Sequence, residues 1–255
     1  MTHRTARGGK TVYGAHVGIV ILDTRVPRIP GDVGNARTWN FPVIYRRAVG
    51  ATVQRVIHEK GAGLSQALLD AAMDLVKMGA DGIATTGGYL SLFQKELAAH
   101  VGVPVATSSM MQIPWVQALL PPGKRVGVLT LHGPRLTPEH LFAAGAAPDT
   151  PVVGTENGHE LTRVLIGNEM ELDVEKAEDD VLAAADEMLA RYPDVGALVL
   201  ECHNMAPYSR LISMTFNMPV FDVFTLVSWF HSGLSPRDFG YPANGGPRND
   251  WGERQ

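Results

Sequence analysis

A single cysteine, Cys202, stands in 255 residues, so the chain holds no partner for an internal disulfide and no multi-thiol zinc site. No apolar run reaches the roughly 18–20 residues of a membrane span. The leading MTHRTARGGK lacks the apolar stretch of a signal peptide. Net charge is −4 without a basic cluster, which argues against nucleic acid and against a membrane surface as partners. Nine histidines fall in no HExxH or other tight ligand spacing, so no metal site is expected. The glycines at Gly87-Gly88 belong to neither GxGxxG nor a P-loop, which weakens a nucleotide-binding reading. What is present is an ordinary globular mixture, 45% hydrophobic and 19% charged. It suffices for one large α/β domain or two small ones in a soluble, cytoplasmic protein.

Short β-branched runs alternate with helix-period segments. The runs are Val17–Leu22, Gly82–Ala84, Val103–Ala106, Arg125–Leu131, Ala197–Leu200 and Pro219–Val223. They do not alternate strictly, as expected of parallel strands buried on both faces. Leu64, Leu68, Ala71, Leu75 and Met78 repeat at helical spacing before Gly79, and Val181, Leu182, Ala185, Met188 and Leu189 repeat before Tyr192-Pro193. The pattern predicts an α/β fold with parallel sheets flanked by helices. Thr24–Thr52, with three prolines and three glycines, reads as a long loop of the kind that often carries function.

An internal echo organises the chain. ADGIATTGGYLSLFQKELAAHVGVPVATSSMMQIPWVQAL is followed later by DVGALVLECHNMAPYSRLISMTFNMPVFDVFTLVSWFHSGL. Gly87 precedes Pro104 by 17 residues, and Cys202 precedes Pro219 by 17. Two pseudo-symmetric lobes are therefore expected, residues 11–120 with 220–242 forming the first and 121–219 the second. Residues 1–10 and 243–255 are expected to be tails draped on the surface. Ligands of parallel sheets bind beyond the carboxyl ends of the strands. A cleft between the lobes would thus set Gly87 and Cys202 on opposite walls, and amides at helix starts would suit a small carboxylate.

Candidate residues follow from that geometry. Cys202 sits after a strand and before a helix expected near Ala206-Pro207, whose N-terminus would lower its pKa and make a thiolate accessible near pH 7; otherwise it is a small buried hydrophobe. His203, Asn204 and Glu201 are placed to poise it. Thr85, Thr86, Gly87 and Gly88 form either a tight turn or a carboxylate cradle. Ser108 and Ser109 cap a helix and could line the cleft as well, and Asp222 caps another. Asp32, Asn35 and Arg37 provide turn chemistry or substrate contacts. Thr130 and His132 end a strand at the same carboxyl edge, His132 being a weak acid–base candidate.

These residues resemble the aspartate/glutamate racemase superfamily over about residues 14–240. The resemblance rests on PRIPGDVGNARTW, ATTGGYLSLFQKEL, VPVATSSM, LECHNMAPY and MPVFD. It implies two α/β lobes with the site between them, no cofactor, a small carboxylic-acid substrate, and self-association into a homo-oligomer as one further expectation. It also implies two cysteines on opposite faces of the substrate α-carbon. Here Cys202 takes the second-lobe position, Gly87 stands at the first, and the usual Cys-Thr-Asn reads Cys202-His203-Asn204. The single-thiol pattern resembles that of arylmalonate decarboxylases within the superfamily, where one thiol protonates an enediolate. Proton transfer by one thiol at the α-carbon is thus implied, in a racemase-like isomerase, a decarboxylase or another lyase. Two alternatives remain: a carboxylate-binding protein without catalysis, and a covalent cis–trans isomerase of the maleate type.

Overall fold

The computed structural model describes residues 8–239. Residues 1–7 and 243–255 of the expected tails, and 240–242 of the expected first lobe, lie outside the described residues. Lys10 lies exposed on the surface, its Nζ 2.5 Å from Asp81 Oδ1 and donating to the Gly79 carbonyl at 3.0 Å.

In chain order the first half runs β1 (Val17–Leu22), β2 (Val43–Ala48), α1 (Val53–His58), α2 (Ser65–Met78), β3 (Gly82–Thr85), α3 (Gln94–Val101), β4 (Val105–Ala106) and α4 (Ile113–Leu119). The second runs β5 (Arg125–Thr130), α5 (Pro138–Ala143), β6 (Val152–Gly154), α6 (Leu161–Gly167), α7 (Val174–Arg191), β7 (Val195–Leu200), α8 (Ser209–Phe216), β8 (Val220–Phe221) and α9 (Val223–Leu234). α2 buries Leu68, Ala71, Ala72 and Leu75 on one face and ends where Gly79, at φ 126°, turns its N–H back onto the Leu75 and Val76 carbonyls. α7 starts where the Asp173 carboxylate accepts the Lys176 N–H.

The expected α/β fold is observed as two four-stranded sheets, ordered β2-β1-β3-β4 and β6-β5-β7-β8, with every pairing parallel. Both faces of the central strands are covered. In β1, Val17 and Ile19 face a cluster with Leu226, Val227 and Phe230 of α9, while Val20 and Leu22 join the cluster that contains α2. That two-sided burial removes polar alternation from the sequence. α9 follows β8 of the second sheet and returns to pack on the first. Strand Val220–Phe221, expected with the first lobe, pairs with β7 instead.

The Thr24–Thr52 segment is not all loop. It holds a short 3-10 turn at Ala36–Thr38 and the edge strand β2. Edge strands tolerate exposed charge, and Arg46 and Arg47 break the apolar signature that betrays the inner strands. β6, also at an edge and three residues long, escapes detection for a related reason.

The echo is close in detail. Gly87 lies two residues past β3, and Cys202 two residues past β7. Each caps a six-residue 3-10 stretch, Gly88–Phe93 or His203–Tyr208, that leads into an eight-residue helix, α3 or α8.

Candidate active site

A cavity lies where the carboxyl ends of both sheets meet. Leu22 and Thr86 to Tyr89 enter it from the first sheet, Leu131 and Glu201 to Asn204 from the second, and Val53, Val56 and Ile57 of α1 form an apolar wall. Of the residues read from sequence as candidates, Cys202, Thr86, Gly87, Gly88, His203 and Asn204 share this cavity.

Others stand behind its wall and hold it in shape. Thr85 Oγ1 donates to the Thr107 carbonyl at 2.6 Å, and Ser108 caps the next turn by accepting the Met110 N–H. Ser109 Oγ donates across to the Leu200 carbonyl at 2.5 Å, tying the first half of the chain to the end of β7. Thr130 Oγ1 meets Glu201 Oε2 at 2.6 Å. Asp222 caps α9 as expected, accepting the Thr225 N–H at 2.9 Å. Asn35 is occupied with the Arg28 carbonyl and the Arg37 N–H, Arg37 is exposed, and neither reaches the cavity. His132 lies outside the wall as well, its ring edge-on to His58.

Asp32 contributes indirectly. Its carboxylate accepts the Arg28 guanidinium at 2.8 Å and the Gly34 N–H at 2.7 Å, and on its other oxygen it accepts the Asn204 amide. Asn204 Oδ1 in turn lies 3.8 Å from Cys202 Sγ. An anchored loop carboxylate thereby fixes the amide that faces the thiol.

Three expectations are corrected. Burial pushes the Cys202 thiol far above its ordinary range, and the charge of Glu201 pushes it further; the backbone N–H groups of Asn204 and Met205 oppose this only in part. Desolvation outweighs the helix-start effect from which a thiolate near pH 7 was expected. The stretch beyond Cys202 is 3-10 from His203 onward, so no α-helix opens at Ala206-Pro207. His203 is not free for ligand: its Nδ1 meets the Thr85 carbonyl at 2.9 Å and its Nε2 accepts the Ser109 N–H at 3.2 Å. Burial drives its pKa down to about 4, so the ring is a neutral strut between the halves.

Sequence reasoning passed over Tyr89 and left Glu201 a mere neighbour. Glu201 is 1% exposed in the cavity wall, and burial pushes its carboxyl up to about 7 against the Thr130 hydroxyl and the nearby Leu131 and Tyr89 N–H groups. A charged residue directly after the apolar run ALVL was the available signal. Among the described residues no group of three or more His, Cys, Asp or Glu side chains is placed to hold a metal ion, and no helix is long and apolar enough to cross a membrane.

No family model matches the chain. A dimethylsulfoniopropionate lyase of Durusdinium sp. clade D is 28% identical over 247 residues, covering 93% of this chain and 79% of that protein. Dimethylsulfoniopropionate lyase 5 of Emiliania huxleyi is 26% identical over 85% of this chain, which spans 45% of that longer relative. Among solved structures, arylmalonate decarboxylase superposes with a TM-score of 0.59 at 14% identity, covering 87% of this chain and 93% of that one. The allantoin racemase of Pseudomonas fluorescens gives 0.57 at 18%, covering 91% and 97%. The chain thus has the fold of the aspartate/glutamate racemase superfamily, as its motifs suggested.

Proposed function

We propose that this chain is a cofactor-independent lyase that eliminates a leaving group from the β-carbon of a small carboxylic acid, with Cys202 as the base. The observation that carries this reading is the pairing of the lone thiol with Gly87 in one cavity. Inversion at a carbon needs a proton taken from one face and another delivered to the opposite face. With Gly87 at the first-lobe position, the face opposite Cys202 has no second thiol. Elimination needs proton removal from one face alone, so a single thiol suffices.

The step balances simply. The Cys202 thiolate takes the α-proton, the C–H electrons become the Cα=Cβ bond, and the leaving group departs with the electrons of its bond to Cβ. Cys202 then returns the proton to water. Developing charge on the substrate carboxylate is met by the amides that open the two 3-10 stretches, at Gly87-Gly88 and Cys202-His203.

Charge in the cavity favours a substrate that brings its own cation. No lysine or arginine lines the wall, and Arg28 is committed to Asp32. A dianion would enter uncompensated, whereas a sulfonium group balances the substrate carboxylate, so that the thiolate is the one net charge in the cavity. Dimethylsulfoniopropionate, the substrate in the relatives' names, has this character. Arylmalonate decarboxylation, the activity in a structural neighbour's name, starts from a dianion and suits this wall less.

The test is purified protein with dimethylsulfoniopropionate, following dimethyl sulfide in the headspace and acrylate in solution. Expected is stoichiometric release of both, abolished in Cys202→Ser. Release that persists in Cys202→Ser, or its absence across a panel of β-substituted propionates, refutes the proposal.

A further inference from the structure

Three oxygen–oxygen contacts lead away from Glu201 in a row. Glu201 Oε2 lies 2.6 Å from Thr130 Oγ1, Thr130 Oγ1 lies 3.1 Å from the Tyr89 hydroxyl, and that hydroxyl lies 2.8 Å from the His132 carbonyl. Each contact needs a proton. The carbonyl has none, and the two hydroxyls have one each. An ionised Glu201 therefore leaves the row one proton short in a fully buried place. A carboxyl proton on Oε2 completes it: Glu201 donates to Thr130, Thr130 to Tyr89, and Tyr89 to the carbonyl. The second carboxyl oxygen, Oε1, is buried and makes no full hydrogen bond; the Leu131 and Tyr89 N–H groups near the carboxyl offset only part of the burial, an arrangement harder on a carboxylate than on a neutral acid. Glu201 has little room to escape toward water past Gly88, where even a Cβ would come within 2.3 Å of Oε1.

We propose that this row holds Glu201 as a neutral acid, so that no carboxylate charge adds to the burial that already opposes ionisation of the adjacent Cys202, making Glu201 a positioning residue for the thiol. The inference rests on the reading of Cys202 as the base.

The surroundings agree. Glu201, pushed up to about 7, changes charge near neutral pH, and its negative form opposes a thiolate at Cys202. Tyr89 is held protonated by burial and by Glu201. His203 stays neutral above about 4. Asp32 faces Cys202 through Asn204 but is paired with Arg28. His132 presents its carbonyl to the row while its ring meets His58.

Because Cys202 is the sole cysteine of the chain, iodoacetamide reads it alone and needs no substrate. Alkylation is followed by mass spectrometry from pH 6 to 9.5 in the wild type, Glu201→Gln and Tyr89→Phe. Glutamine copies the neutral acid, its Nε2 donating to Thr130 as the carboxyl proton does. Its rate should match the wild type near pH 6 and exceed it on the order of 10-fold at pH 9, where only the wild type carries the extra charge. Tyr89→Phe turns the Thr130 proton back onto Glu201 and favours its ionised form, so alkylation near pH 6–7 should fall several-fold. A purely structural effect would shift the rates equally at every pH. Parallel pH profiles for wild type and Glu201→Gln overturn the inference. If Glu201→Gln does not fold, an unchanged Tyr89→Phe profile overturns it equally. Should no substrate be eliminated while the profiles diverge as stated, the proposed reaction falls and this inference stands.

Discussion

Replacing Glu201 by glutamine should alter stability in a way that depends on pH. In the folded protein the carboxyl is pushed from 4.5 up to about 7 by burial. The folded state therefore keeps the proton over a range where the unfolded chain has lost it. Stability from this group is fully present below pH 4.5 and is lost as pH rises through 7. At about 1.4 kcal/mol per pH unit, the loss amounts to about 3 kcal/mol. Glutamine does not titrate, so the difference in unfolding free energy between variant and wild type should shift by about that amount in favour of the variant between pH 4.5 and 8. Other buried groups titrate in the same range. Asp222 is raised and acts in the same direction, while His140 and His203, pushed down to about 4, lose stability as pH falls below 6.5. They are common to both proteins and cancel in the difference. Urea unfolding at intervals of half a pH unit gives the curve, provided the m-values agree. A difference that stays constant across this range would refute the assignment of Glu201 as a buried neutral acid.

The neighbouring glycines give opposite expectations. Gly87 has φ −145° and an added Cβ would meet Leu22 Cδ1 at 3.1 Å, so Gly87→Cys should fold with a cost of about 1 kcal/mol and place a second thiol in the cavity. Incubation in deuterium oxide followed by chiral analysis should show α-proton exchange and some racemisation of a bound acid; wild-type racemisation at an equal rate would contradict the one-thiol reading. At Gly88 a Cβ would lie 2.2 Å from the Glu201 carbonyl oxygen, so Gly88→Ala should cost about 1–3 kcal/mol in urea unfolding and lower turnover as well. His203→Phe strips the Ser109 N–H and the Thr85 carbonyl of their partner and should destabilise by about 2–4 kcal/mol, whereas His203→Phe of native stability would show that the ring is no strut.

The fold was legible wherever burial on both faces wrote itself into composition. β1, β3, β5 and β7 are inner strands, and all four appear in the sequence as apolar runs. β2 and β6 are edges, where Arg46 and Arg47 or mere brevity erase the signal. The echo survived because it depends on spacing. The 17-residue interval from Gly87 to Pro104 recurs from Cys202 to Pro219 because each spans one 3-10 stretch, one helix and the turn into the next strand.

The candidate site was legible as a place rather than as chemistry. Strand ends pointed to Thr86, Gly87, Gly88 and Cys202 through topology alone, and all four line the cavity. Protonation could not be read the same way. The expectation of a thiolate at Cys202 rested on the helix start after it and on its chain neighbours Glu201, His203 and Asn204. Its behaviour is set by desolvation and by Glu201, whose own state depends on Thr130 and Tyr89, 71 and 112 positions away in sequence. The contacts to both depend on how the two sheets meet. A local motif can mark where a thiol will stand; whether it ionises is a property of the assembled cavity, set by burial first and by the charge of Glu201 next. That is why Glu201→Gln, which leaves the cavity's shape alone, is expected to move the thiol's pH profile, and why Cys202→Ser alone could not reveal that control.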